Sequence, residues 1–213
     1  QSAAFEQLLL QEGIPYKIYG GFKFFERREV KDIVSYLRFF INPRDTVALK
    51  RIINTPKRKI GGETVDKIET YANENSLPLF EAIAKVASLP IQLGPQAKSA
   101  LQQFSTSMEF MTQALDTTPP AVFISQMVNS IRYKDYLIDQ EWKELGLEKY
   151  ENIGQLINMA SKFDDDTVAL SRNGKELMVQ FLDEVALLTD LEETSDGAKR
   201  WKNPPDWRPW QAD

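Results

Sequence analysis

A mainly all-α fold, with a small α/β fragment at the N-terminus, is what this sequence predicts. Three observations carry that expectation. From residue 27 onward, apolar residues recur at helical spacing in stretch after stretch. Prolines fall between those stretches rather than inside them. Only one run, "YKIYG" at 16–20, alternates large β-formers as a short strand does. A lone strand is not stable by itself. Residues 1–43 are therefore expected to be an incomplete part of a larger α/β unit, residues 44–192 a self-contained helical domain, and residues 193–213 a linker or tail.

In chain order, "AAFEQLLLQE" (3–12) holds good helix formers with Phe5, Leu8 and Leu9 on one side, and Gly13 and Pro15 follow as stop signals. Gly20-Gly21 breaks the strand. "RREVKDIVSYLRFFI" (27–41) puts Val30, Ile33, Val34, Leu37, Phe40 and Ile41 on one helical stripe, which Asn42-Pro43 ends. Asp45 is a candidate N-cap for "TVALKRIIN", and Pro56 stops that helix. "GETVDKIETYANEN" follows two glycines, and Pro78 suits the first turn of "PLFEAIAKVA". "GPQAKSALQQFSTSMEFMTQAL" is the longest periodic run, with Leu101, Phe104, Met108, Met111 and Leu115 on a single stripe. Pro119-Pro120 opens "AVFISQMVNSI", and "YENIGQLINMASKF" spaces Ile153, Leu156, Ile157 and Ala160 at i, i+3, i+4 and i+7. "GKELMVQFLDEVALLTDL" is a last amphipathic helix. The tail beyond it is low in aliphatic residues and carries Trp201, Trp207 and Trp210, expected to pack on the helical body or on a further part of the protein.

The sequence contains neither cysteine nor histidine. Disulfides, thiolate chemistry, Cys/His zinc sites and every mechanism that needs a histidine acid or base are excluded. The phosphate-loop pattern GxxxxGK[ST] is absent, and Gly20-Gly21 lacks the rest of a dinucleotide fingerprint. Asp164–Asp166 without the glycine and distal glutamate of an EF-hand loop reads as a helix terminator and solubility patch before it reads as a cation site. No catalytic residue and no metal ligand is nominated. No window approaches 18 uninterrupted apolar residues, so no membrane span is expected. The start "QSAAFEQLLLQEG" has no basic lead, so no secretory leader is expected either, and its first residue, Gln rather than Met, points to a piece of a longer protein.

Charge is distributed unevenly. Twelve cations and four anions between Lys17 and Gly61 give that segment +8, which leaves −13 for the remainder of a chain of net −5. Such a block is either a localised polyanion contact or a solvated helix face whose salt bridges lie elsewhere. Its densest part is "NTPKRKIGGETVDKI" (54–68), where Lys57, Arg58 and Lys59 run into Ile60, a glycine pair and a helix start. Gly61 and Gly62 lack Cβ, so the backbone is able to turn tightly and approach a ligand closely. Unpaired amides and the helix dipole favour an anion at that point, which is how a bend between two helices grips a nucleic-acid phosphate. The alternative is an ordinary glycine-containing turn with solvated cations.

Four segments resemble the UvrD/PcrA/Rep-type superfamily 1 DNA helicases. "PYKIYGGFKFFERREVKDIVSYLRFFINPRD" is similar to that family's Gly-Gly-x-x-Phe-x-x-Arg-x-Glu-[IV]-Lys-Asp segment, which leads into the insertion subdomain called 2B. "RIINTPKRKIGGETVDKI" resembles its Asn-x-Pro-x-Arg-Gly-Ile-Gly element, with Lys59 standing where the family has its first glycine. "YENIGQLI" is similar to an Arg-x-Glu-Asn-Leu-x-Glu-Leu block, and "FLDEVALLTDLE" to the helix that closes the insertion.

This resemblance implies that residues 1–43 belong to motor subdomain 2A and residues 44–192 to a helical 2B-type subdomain. It implies a parent enzyme with ATP-driven, 3′-to-5′ helicase activity that uses ATP and Mg, while this stretch holds no cofactor and is inactive alone. The implied partners are duplex or forked DNA, bound independently of sequence, the remaining helicase subdomains and a repair protein. The implied location is the cytoplasm, at the nucleoid. Candidate duplex contacts are Arg51, Lys57, Arg58, Lys59, Ile60, Gly61, Gly62 and Thr64, and candidate single-strand contacts are Lys23, Phe24 and Arg27. Hinges are expected near Asn42–Asp45 and in the tail. The competing function is a helical protein-interaction module in which the bend is purely structural. A free-standing enzyme is disfavoured by the missing chemistry.

Overall fold

Nine α-helices and one 3-10 turn account for the secondary structure of residues 24–164 and 173–202, which are those the computed structural model describes, with side chains through Thr189. The helices are α1 (Arg28–Ile41), α2 (Thr46–Ile52), α3 (Gly62–Glu74), α4 (Leu79–Ala84), α5 (Pro95–Ala114), α6 (Pro120–Ser130), α7 (Tyr133–Gln140), α8 (Lys143–Ala160) and α9 (Gly174–Lys202). The 3-10 turn, Ser161–Phe163, follows α8. The helix expected at 3–12, the strand at 16–20, Lys23, Asp165, Asp166, Trp207 and Trp210 lie outside the described residues, as does the side chain of Trp201. Among the described residues no helix is long and apolar enough to cross a membrane.

α1 is the central element. Its apolar stripe widens into a nearly complete sleeve, because Tyr36 and Phe39 are buried along with Val30, Ile33, Leu37 and Phe40. It packs against α2, α8 and α9, while α6 packs against α7, α8 and α9. One hydrophobic core contains residues from all nine helices. The expected division at residue 43/44 therefore does not coincide with a gap in packing. The 42–45 turn, expected to hinge, carries bonds on both sides. Arg38 donates two hydrogen bonds to Asp45 Oδ2, at 3.0 and 2.7 Å, and Asp45 Oδ1 accepts from the Ala48 amide to cap α2.

Pro120 occupies the first helical position, as anticipated, and Pro95 does the same in α5, because a missing N–H costs nothing there. Pro78, expected in the first turn of its helix, is instead the N-cap before Leu79. Asp164 caps α6 from far along the chain: its Oδ1 accepts from the Ala121 amide at 3.1 Å. Burial pushes the Asp164 carboxyl above its ordinary value, and the Ala121 amide partly offsets this. It thus ends its own helical segment, as expected, with its amide donating to Ser161 O at 3.1 Å, and also starts a neighbouring helix.

Two features escaped the periodicity. α7 and the opening turns of α8 bury Tyr133, Tyr136, Leu137 and Gly146, a face too polar and too short to register as a stripe. Gly146 is required by close approach, since a Cβ there would lie 2.9 Å from both Ile138 Cα and Leu137 O. The backbone of α9 also runs to Lys202, well past the start of the expected tail. "EETSDGAKR" offers no apolar stripe, but its Glu, Ala, Lys and Arg have good helix propensity.

Candidate nucleic-acid interface

The bend between α2 and α3 is built from its own residues. Asn54 Oδ1 accepts from the amides of Arg58, at 2.7 Å, and Ile60, at 3.4 Å. The Thr55-Pro56 peptide is cis. Arg58 reaches back into the bend: its Nη1 donates to the carbonyls of Ile52 (2.8 Å), Pro56 (3.2 Å) and Ile53 (3.3 Å), and its Nη2 donates to Tyr36 Oη at 2.6 Å. The guanidinium lies 5.1 Å from the centre of the Phe104 ring. Tyr36 in turn donates to Thr55 O at 2.5 Å. Burial raises the Tyr36 phenol pKa, with the Arg58 charge opposing, so the hydroxyl stays a donor. Ile60 is buried in the core.

The tight backbone turn does not fall on the glycines. It falls on Lys59, which holds φ 62, whereas Gly61 is extended with φ −75 and ψ 158. An L-residue in the left-handed region costs about 1–2 kcal/mol, and glycine would return roughly 0.5–1 kcal/mol of that through its freer unfolded chain. Lys59→Gly is therefore expected to stabilise the protein by about 0.5–1 kcal/mol, read as a higher midpoint in urea; a fall would show that the lysine side chain holds the bend.

The glycine pair faces outward. Among the described residues, the amides of Gly61, Gly62 and Glu63 have no acceptor, and no side chain caps α3. A Cβ built on Gly61 or Gly62 would meet nothing within 4 Å. Packing among the described residues thus makes no demand for glycine at either position. Lys57 and Lys59 flank this point, exposed and without an acceptor among the described residues, and Thr64 is half-buried in the first turn. The exposed Glu63 carboxylate stands at the same helix end, where it suits the dipole and opposes an incoming anion.

The other described candidates have partners within the protein, some of them in exposed pairs. Arg51 Nε donates to Asp32 at 2.7 Å, and its Nη2 donates to Arg28 O. Phe24 is 1% exposed and packs edge-on against Phe25, so its ring is not available to stack on a base. Arg27 donates to Asn152 and sits over the Phe24 ring. Lys31, Arg38 and Lys50 pair with Glu26, Asp45 and Glu69, and Arg28 donates to Tyr136. Within the described part of the basic block only Arg44, Lys57 and Lys59 are cations without an acceptor there. The sequence overcounted because charge does not reveal pairing. Among the described residues no group of carboxylates is placed to hold a metal ion.

Fold and site together define a helical module with one open, cationic bend at a helix start. The chain belongs to the UvrD-like helicase C-terminal domain family, which residues 1–200 match. It is 32% identical over 196 residues to the ATP-dependent DNA helicase PcrA of Staphylococcus epidermidis, covering 91% of this chain and 26% of that protein. Against PcrA of Bacillus subtilis identity is 31% over 193 residues, with 91% and 25% covered. Against DNA helicase II of Escherichia coli it is 34% over 175 residues, with 80% and 24% covered. The chain spans about a quarter of the length of these curated relatives.

Proposed function

We propose that this chain is the duplex-contacting part of an ATP-dependent DNA helicase of the UvrD/PcrA type, the helical 2B subdomain with a flanking part of 2A. The parent would translocate 3′ to 5′ on single-stranded DNA, with ATP and Mg held by parts of the protein outside this chain, which alone would not hydrolyse ATP. The whole protein would act in the cytoplasm on nucleoid DNA. The observation that carries this reading is the open bend: among the described residues, three amides at a helix start without an acceptor, two glycines that packing does not require, and two lysines without a partner. A site of this kind grips backbone phosphate and reads no base, as a motor that must pass any sequence requires. The contact set we assign is Lys57, Lys59, Gly61, Gly62 and Thr64. Rather than touch DNA, Arg58 and Ile60 hold the bend and Arg51 ties α2 to α1, and no single-strand contact is assigned to Phe24 or Arg27.

Two or three phosphates predict weak binding, in the range of about 10⁻⁴ to 10⁻⁶ M at physiological salt, with a log–log salt slope of about −2 to −3. Fluorescence anisotropy with the 213-residue chain and a forked duplex tests the reading. Lys57→Glu/Lys59→Glu is expected to weaken binding at least ~10-fold at low salt while leaving stability within about 0.5 kcal/mol of the parent chain, because both side chains are exposed. Undiminished binding by that variant would sink it.

One observation favours the rival reading as a protein-interaction module. A cavity of about 520 Å³ between α1, α2 and α9 is floored by Phe25, Val34, Val47, Leu182 and Val185. Loss of a protein partner on Val47→Glu, with DNA binding intact, would favour that role.

A further inference from the structure

A second cavity, of about 380 Å³, lies beside the bend, between residues 56–58, α5 and the junction of α6 with α7. Its charged lining is Lys57, Arg58 and Arg132, with no carboxylate among the lining residues, in a chain of net charge −5. Gln103 and Ser107, one turn apart on the exposed face of α5, add neutral donors to the same wall, and Phe104 lies between them at the base. Arg58 is locked in place by carbonyls and Tyr36 oxygen, all of them neutral, so its positive charge remains uncompensated beside the groove.

Arg132 is the informative residue. It is the N-cap of α7 with φ 54 and ψ 42, a left-handed conformation that glycine adopts freely and arginine does not. Its side chain is 80% exposed, and its one partner among the described residues is Asp135, at 2.9 Å. An exposed pair of this kind is weak and readily exchanged for another anion. Among the described residues nothing beyond this exposed pair explains a long cation at this backbone position, whereas the groove in front of it does.

We infer that this groove is a second anion site, which takes a backbone phosphate of the same nucleic-acid chain that the bend holds, on Lys57 and Arg132 with Gln103 and Ser107 alongside. This rests on the proposed duplex contact. Lys57 is common to the bend and the groove, so one continuous polyanion engages both. The track then runs from the amide end of α3, across Lys57, to the start of α7, and both walls bind charge rather than bases.

The test is salt-dependent anisotropy on the 213-residue chain with a fluorescein-labelled forked duplex, comparing Arg132→Gly, Arg132→Lys and Lys57→Ala/Lys59→Ala. Arg132→Gly removes the charge while easing the backbone, so its thermal midpoint should not fall. The inference expects its log–log salt slope to shrink by about 0.9, the share of one phosphate, with Arg132→Lys keeping the parent slope. If Arg132→Gly leaves slope and affinity unchanged while the lysine pair variant weakens both, the groove takes no DNA phosphate and the inference is overturned with the bend intact. If the lysine pair variant also binds as the parent does, the reading of the bend fails and the groove goes with it.

Discussion

Asp32→Ala is expected to cost about 2–3 kcal/mol, the upper range for leaving hydrogen-bond donors without their acceptor, since the buried Tyr133 hydroxyl is stranded while the partly exposed Arg51 reaches water, and to lower the melting midpoint by roughly 5 °C or more in a chain of this size. Asp32 is 3% exposed. Its Oδ1 accepts from Arg51 Nε at 2.7 Å, and its Oδ2 accepts from the Tyr133 hydroxyl at 2.7 Å. Burial, then the Asp32 charge, drives the Tyr133 phenol pKa far upward, so Tyr133 donates at every working pH. Alanine would leave the guanidinium and the hydroxyl without this acceptor between α1, α2 and α7. Asp32→Asn should lose less, about 1–2 kcal/mol, because its amide still offers an oxygen to Arg51 and an N–H₂ to the phenol oxygen. Chemical denaturation of the two variants measures the difference. A loss below about 1 kcal/mol for Asp32→Ala would mean that Arg51 finds other partners and is free for a ligand after all.

The second large effect is at Arg58. Arg58→Met is expected to destabilise by about 2–4 kcal/mol, since three carbonyls and a phenol oxygen lose their charged donor and the Phe104 ring loses its cation. Arg58→Lys should recover little, because an ammonium is a point donor without the planar fork that spans these acceptors. Duplex binding should fall with the loss of structure, and the shortfall should shrink at lower temperature or with a stabilising osmolyte. A variant that keeps its melting midpoint yet loses DNA would instead make Arg58 a direct contact, and the internal bonds incidental.

These two side chains explain why the candidate site was only half legible. Lys57, Arg58 and Lys59 are adjacent and chemically alike in the sequence. The fold separates them: two are exposed without partners among the described residues, and the middle one turns in to close the end of α2. Arg51 and Arg27 are likewise claimed by Asp32 and Asn152, residues 19 and 125 positions away. Pairing across such distances leaves no local pattern. Arg132 escaped notice for a related reason: it belongs to no cationic run, and only folding brings it to the wall that Lys57 shares.

What the sequence determined by itself is the helical architecture and most helix limits, because these rest on local chemistry: the stripe Leu101–Leu115, the Asp45 cap, the prolines at helix starts and the glycines ahead of α3. The position of the bend was legible for the same reason. What only the tertiary structure decided is which charges remain available and which backbone position bears the turn. It also decided that Asp164 starts α6 and that residues 28–41 lie at the centre of the core rather than beside it. Each of these depends on a partner brought close by packing, and the energy of a buried contact depends on where its partner is, not on what its sequence neighbours are.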